Sequence, residues 1–161
     1  MQKILNDIID LIEESAAKKE KVIKTEYILH KHVADRAGLH YDLRIRRTDK
    51  FSVLSFAIPN ADIPTENKKA LLVTNFEHGP QWTKIKKLTI PKGMYGAGEI
   101  TTVQQGKMII HSWDKNNKIK FTVKKGDPLN GTYYIIPANF KDQKPKDKGK
   151  QYLMFRAKEQ Q

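Results

Sequence analysis

The run His40-Tyr41-Asp42-Leu43-Arg44 puts three chemically able side chains at every second position. On a β-strand such residues share a face, so His40, Asp42 and Arg44 point one way, and Tyr41, Leu43 and Ile45 the other. An imidazole and a carboxylate side by side can hold a divalent metal. A guanidinium next to them matches the paired oxygens of a phosphate. The opposite face is apolar and suited to packing. Metal and arginine together point to phosphate chemistry.

More histidine stands just upstream. His30, His32 and His40 are three of the five in the chain. By the same alternation His30 and His32 share a face, so either can approach a metal beside Asp42. Two histidines and an aspartate on neighbouring strands, with coordination positions left open, fit a two-His, one-carboxylate site. Such a site suits Mn²⁺, Fe²⁺ or Zn²⁺ better than Ca²⁺. His78 lies in Asn75-Phe76-Glu77-His78-Gly79-Pro80, just after an expected strand. A loop histidine there is placed for acid–base work or for holding a phosphoryl oxygen, and it reads equally as an exposed loop residue. Metalloprotease, zinc-finger and P-loop spacings are absent. The glycine-rich turn Pro91 to Gly98 lacks a phosphate-cradling fingerprint and reads as structural, with Tyr95 as packing.

These residues need elements to hold them. Ile4, Leu5, Ile8, Leu11 and Ile12 recur at helical spacing, with Asp7, Asp10, Glu13 and Glu14 opposite, which predicts an amphipathic helix over 2–19. Its expected role is to cap a sheet or barrel. After Lys24 the period changes to two, and short apolar runs alternate with turn signals as far as Lys158. The expected strands include 27–32, 40–46, 52–57, 83–90, 98–104 and 106–113. Many short strands with short turns predict a mainly β fold, an antiparallel barrel or sandwich, with an N-terminal helix. The expected organisation is a helix and linker over 1–24 and a barrel domain over 25–161.

Composition narrows the partners. The net charge is +12 and the pI about 9.7, a balance that favours polyanions. Residues 1–20 hold three lysines and five acids, so the basic excess belongs to the rest of the chain. Residues 141–150 form a lysine-rich loop, either a solvated connection or an arm for a phosphate backbone. With no cysteine there is no disulfide, thiolate metal site or cysteine nucleophile, which fits a reducing cytoplasm. No apolar run reaches the length of a membrane span and no signal peptide is evident, so no membrane partner is expected.

Taken together, four segments resemble the 3′-phosphoesterase domain of bacterial and archaeal ligase D, a DNA end-healing module. They are Lys31-His32 with Leu39 to Arg44; Ser55 to Pro59; Glu77-His78 and Pro80 leading to Ile90 through Gly98; and Gly131 to Ile136 with Tyr152 to Lys158. The resemblance implies a β-barrel with a polar crescent in its cavity and a Mn²⁺-dependent activity on DNA or RNA 3′ ends. That activity removes a terminal ribonucleoside and then the 3′-phosphate. Carried over, His32, His40 and Asp42 would hold the metal, and Arg44 and His78 would contact the scissile phosphate. The partners implied are nucleic-acid 3′ ends, a separate DNA ligase and other end-joining proteins, with the domain a stand-alone form or an excerpt.

The chain departs from the family pattern in places. Asp35 to Gly38 lengthen the link between His32 and His40, and Trp82 replaces a tyrosine that follows the loop histidine. Asn60 and Ala70 stand where basic residues are usual. Trp82 would stack on a terminal base or close the barrel end. Lys84 and Lys86, alternating on one strand face, would hold the nucleic-acid strand or form a solvated outer face. A barrel that grips a 3′ end without turnover is the alternative function.

Overall fold

A computed structural model describes residues 22–74 and 77–158, together with residue 8. The helix expected over 2–19 lies outside the described residues, residue 8 excepted. The first four strands are β1 (Ile23–Ala34), β2 (Gly38–Arg46), β3 (Val53–Pro59) and β4 (Ala70–Thr74). A 3₁₀ turn at Pro80–Lys84 leads to β5 (Lys87–Ile90) and β6 (Gly98–Trp113). β7 (Ile119–Val123), β8 (Gly131–Pro137) and β9 (Gln151–Arg156) complete the chain. Among the described residues no helix is long and apolar enough to cross a membrane.

The sheet closes on itself. The order runs β1-β2-β3-β4-β9-β8-β7-β6, and β6 pairs back onto β1, giving an eight-stranded antiparallel barrel. Closure removes the unpaired edges that an open sheet would leave. β5 lies outside the ring, paired with the first residues of β6. The expected mainly β barrel is therefore the fold found.

Two expected boundaries differ. Gly106 does not split β6, because β1 pairs with it along its length, from Ile23 opposite Ile110 to Ala34 opposite Gly98. The run 83–90 is not one strand. Pro80 opens the 3₁₀ turn, and the Thr83 hydroxyl donates to the Pro80 carbonyl at 2.8 Å. Lys84 thus ends a turn and Lys86 precedes β5, so the shared strand face expected for them does not form. Both are exposed, and neither lines the cavity described below.

Alternation sorts the side chains between lumen and exterior. The lumen holds Leu29, Leu43, Ile45, Phe56, Leu72, Met108, Phe121, Tyr133 and Met154, drawn from all eight ring strands. Burying each contributes roughly 1.5–3 kcal/mol. Ala70 belongs to the same cluster, so its methyl packs inward. Cross-strand partners share a face, so the other faces of β1, β2 and β3 bring His30, His32, His40, Asp42, Arg44 and Ser55 together outside the lumen. The polar crescent is therefore on the outer wall, beneath residues 79–97, and not in the barrel interior. The apolar lumen leaves it no room inside.

Candidate metal and phosphate site

The register of β1 against β2 sets His32 opposite His40 and His30 opposite Asp42. β3 brings Ser55 opposite Arg44. His32, His40, Asp42 and Arg44 border a cavity of about 920 Å³, which His78, Asn60, Trp82, Ile90 and the turn 93–97 also line. The structure thus brings His32, His40, Asp42, Arg44, His78 and Trp82 to one cavity.

Hydrogen bonds to carbonyls decide the tautomers. A carbonyl only accepts. Nε2 of His32 therefore carries the hydrogen that meets the Gly96 carbonyl at 2.8 Å, and Nδ1 of His40 the hydrogen that meets Gly38 at 3.2 Å. Their other nitrogens turn toward Asp42: His32 Nδ1 stands 3.4 Å from Oδ2 and His40 Nε2 3.5 Å from Oδ1. In neutral rings those nitrogens hold lone pairs, which would face a carboxylate. Something positive between them resolves the conflict, either protons or a metal ion.

The spacing favours a shared ion. Both separations exceed the usual N–H···O range of about 2.7–3.2 Å. Two atoms each about 2.0–2.2 Å from one ion stand about 3–3.5 Å apart at right-angled to tetrahedral bond angles. One ligand atom from each of His32, His40 and Asp42 lies within 4.8 Å of the others. Each histidine also has its outer N–H fixed by a backbone carbonyl, the arrangement that holds a metal-ligating imidazole in its tautomer. The residues present fit a divalent cation.

His30 is excluded from that set by its own bonds. Arg44 Nε donates to His30 Nδ1 at 3.0 Å, so the Nε2 hydrogen goes to the Ile85 carbonyl at 2.8 Å. Both ring nitrogens are used, and burial pushes its pKa down. His30 is a neutral prop for the arginine. Of the two histidines that alternation offers on β1, His32 is the one turned toward Asp42.

Arg44 is fixed on every side. Besides His30 it donates to Ser55 Oγ at 2.8 Å through Nη1 and to Asp42 Oδ2 at 3.3 Å through Nη2. The indole of Trp82 covers it, with the guanidinium carbon 4.4 Å from the ring centroid. These bonds use three of its five N–H groups. Ser55 is a supporting residue that the sequence reading missed, and His30, offered there as a metal ligand, supports Arg44 instead. The pairing of β3 with β2 was the only available signal for Ser55.

Burial pushes the Asp42 carboxyl up. The facing histidines and the Arg44 charge outweigh burial and hold it well below the usual carboxylate range. The Asp42 carboxylate, facing His40 Nε2, in turn raises the His40 pKa against the pull of burial. A metal entering this site therefore competes with a proton on His40.

His78 is held by its backbone, which exchanges two 2.9 Å hydrogen bonds with Val53. Glu77 beside it is clamped by Arg47 at 3.0 Å, Ser52 at 3.1 Å and Lys50 at 3.2 Å. The imidazole lies 4.8 Å from the Trp82 ring. Burial, helped by the Arg44 charge, pushes its pKa down to about 4. His78 is thus neutral at pH 7. In the unfolded chain it would titrate near 6.5. The unfolded state therefore takes up the proton first, and the stability that neutral His78 contributes is complete above about 6.5 and lost as the pH falls through 4. A proton NMR titration is expected to show His78 still neutral at pH 5.5. A midpoint near 6.5 would contradict this environment.

The glycine turn does more than join β5 to β6. Gly96, at φ +79°, presents its carbonyl to His32. A Cβ at Gly98 would strike the Val33 backbone, so glycine lets β6 lie against β1 there. Tyr95 is not packed as expected: it is exposed and lines the cavity.

Comparison with known proteins follows the same segment. The family described as DNA Ligase D 3′-phosphoesterase domain matches residues 30–137. The chain is also 28% identical over 145 residues to the Multifunctional non-homologous end joining protein LigD of Mycolicibacterium smegmatis. That match covers 84% of this chain and 17% of the relative, so the chain spans about a sixth of that protein's length.

Proposed function

Because the chain belongs to the DNA ligase D 3′-phosphoesterase family, we propose that it hydrolyses phosphoesters at nucleic-acid 3′ ends with a bound divalent metal. In this reading it removes a 3′-phosphate, and also a terminal ribonucleoside, during end joining in the cytoplasm. Its partners are DNA or DNA/RNA 3′ ends, a separate DNA ligase and other end-joining proteins. The observation that carries it is the convergence of His32 Nδ1 and His40 Nε2 on Asp42, with the Arg44 guanidinium 3.3 Å from the same carboxylate.

His32, His40 and Asp42 would hold the ion, and Mn²⁺ suits two imidazoles and one carboxylate. A divalent cation there supplies Lewis-acid polarisation of a phosphoryl oxygen and makes water a better nucleophile. Arg44 turns its remaining N–H groups to the nonbridging oxygens and stabilises the charge that grows as the bond to the 3′ oxygen breaks. Its bonds to His30 and Ser55 fix the fork beforehand, so no reorganisation is needed in the transition state. Neutral His78 donates an N–H to another nonbridging oxygen. Asp42, ionised across the neutral range, keeps the two histidines oriented.

A second reading is a module that grips a 3′ end without turnover. The indole laid over Arg44 favours it, because it narrows access to the guanidinium. One assay separates the two. Protein is incubated with Mn²⁺ and a primer–template ending in a 3′-phosphate, then with one ending in a single ribonucleotide. The enzyme yields 3′-hydroxyl strands. Tight binding without any 3′-hydroxyl product would sink the enzyme reading and leave the module.

A further inference from the structure

The sequence offers Trp82 as the ring to stack on a terminal base, but the fold gives Trp82 other contacts. Its indole covers the Arg44 guanidinium at 4.4 Å and lies 4.8 Å from the His78 ring. Among the described residues the exposed aromatic side chains are Phe51, Tyr95 and Phe140, and of these only Tyr95 lines the cavity. It is 76% exposed.

The turn that carries Tyr95 is tied down. The Ala97 N–H reaches the Met94 carbonyl at 3.1 Å, and the Asp35 N–H reaches the Ala97 carbonyl at 2.8 Å. Gly96, the next residue, accepts the His32 Nε2 hydrogen at 2.8 Å. Position 95 is therefore one residue from the group that aims a metal-facing histidine. An exposed ring that lines the cavity from a turn with a fixed backbone can take a flat ligand on its face, and every nucleobase offers a π-face.

We propose that Tyr95 is the stacking platform for the base of the 3′-terminal nucleotide, whose phosphate lies against Arg44 and the His32, His40, Asp42 group. This base subsite rests on reading the cavity as a phosphate site, and it adds a second hold on the same nucleotide. Stacking reads no base edges, so the subsite takes all four bases alike. The ring carries the interaction and the hydroxyl does not.

The test uses an oligonucleotide with 2-aminopurine as its 3′-terminal base and a 3′-phosphate, mixed with the protein and Mn²⁺ in a stopped-flow fluorimeter. With the wild-type chain, the 2-aminopurine fluorescence is quenched on binding, before product forms. In Tyr95→Leu the quench disappears and KM rises roughly ten- to a hundred-fold, with kcat unchanged. Tyr95→Phe and Tyr95→Trp keep both quench and KM. Phe51→Leu, which removes an equally exposed ring outside the cavity, changes neither. A Tyr95→Leu protein that quenches and turns over like the wild type overturns the base subsite and leaves the phosphate site standing. A wild-type protein that neither binds nor hydrolyses the strand overturns the phosphate site and the subsite with it.

Discussion

Asp42→Asn is expected to abolish Mn²⁺ binding and to lower 3′-phosphate hydrolysis by roughly a hundred- to a thousand-fold, with the fold intact. Among the described residues the carboxylate is the only anion facing His32, His40 and Arg44, and it supplies the charge that makes a cation welcome there. An amide of the same shape removes that charge. Its oxygen can still accept from Arg44, and its NH₂ can donate to a histidine lone pair, so the polar cluster stays paired. Asp42→Ala has a different cost. It leaves the Arg44 guanidinium, 4% exposed, without its anion. Breaking a buried pair in this way costs roughly 3–5 kcal/mol. Titration calorimetry with Mn²⁺ and thermal unfolding separate the two variants. Asparagine should lose the metal and keep its Tm, and alanine should lose both. An asparagine variant that binds Mn²⁺ like the wild type would remove Asp42 from the metal site.

Part of this was readable from the chain because strand alternation is a local rule. Three residues of β2 separate His40 from Arg44, and the alternation of that strand keeps them on one face. The apolar partners Leu43 and Ile45 say which side must be buried. The density of short period-two runs announced an antiparallel barrel or sandwich, and the family resemblance chose the barrel. What the sequence hid depends on distant backbone. The choice of His32 over His30 is made by the carbonyls of Gly96 and Ile85, and no side-chain pattern announces a carbonyl. Ser55 reaches Arg44 only because β3 pairs in one register. Lys84 and Lys86 were placed on a strand because the run 83–90 alternates. The turn begun by Pro80 and closed by Thr83 overrode that pattern. Tyr95 looked like packing because it sits among glycines, yet those glycines bend the chain so that its ring stays outside.

Arg44→Lys should separate catalysis from metal binding. The charge is kept, so Mn²⁺ affinity is expected to stay near the wild-type value, while kcat falls roughly a hundred-fold or more. An ammonium has no planar fork. It cannot meet His30 Nδ1, Ser55 Oγ and Asp42 Oδ2 together, as the guanidinium does at 3.0, 2.8 and 3.3 Å. His30 would lose its donor at Nδ1 and Trp82 the flat cation beneath it, and a buried acceptor left unpaired costs roughly 1–3 kcal/mol. The loss of rate should come from two sources, a weaker grip on the nonbridging oxygens and a cation no longer preset before the phosphate arrives. Chemical rescue isolates the first. Guanidinium ion added to Arg44→Ala should restore part of kcat without changing Mn²⁺ affinity, because the vacated space lies against the same three acceptors and the same indole. A lysine variant with near-normal kcat would show that position 44 needs only a positive charge. Arg44 would then serve the wall that supports the metal group, and the phosphate would have to be held by His78 and the ion.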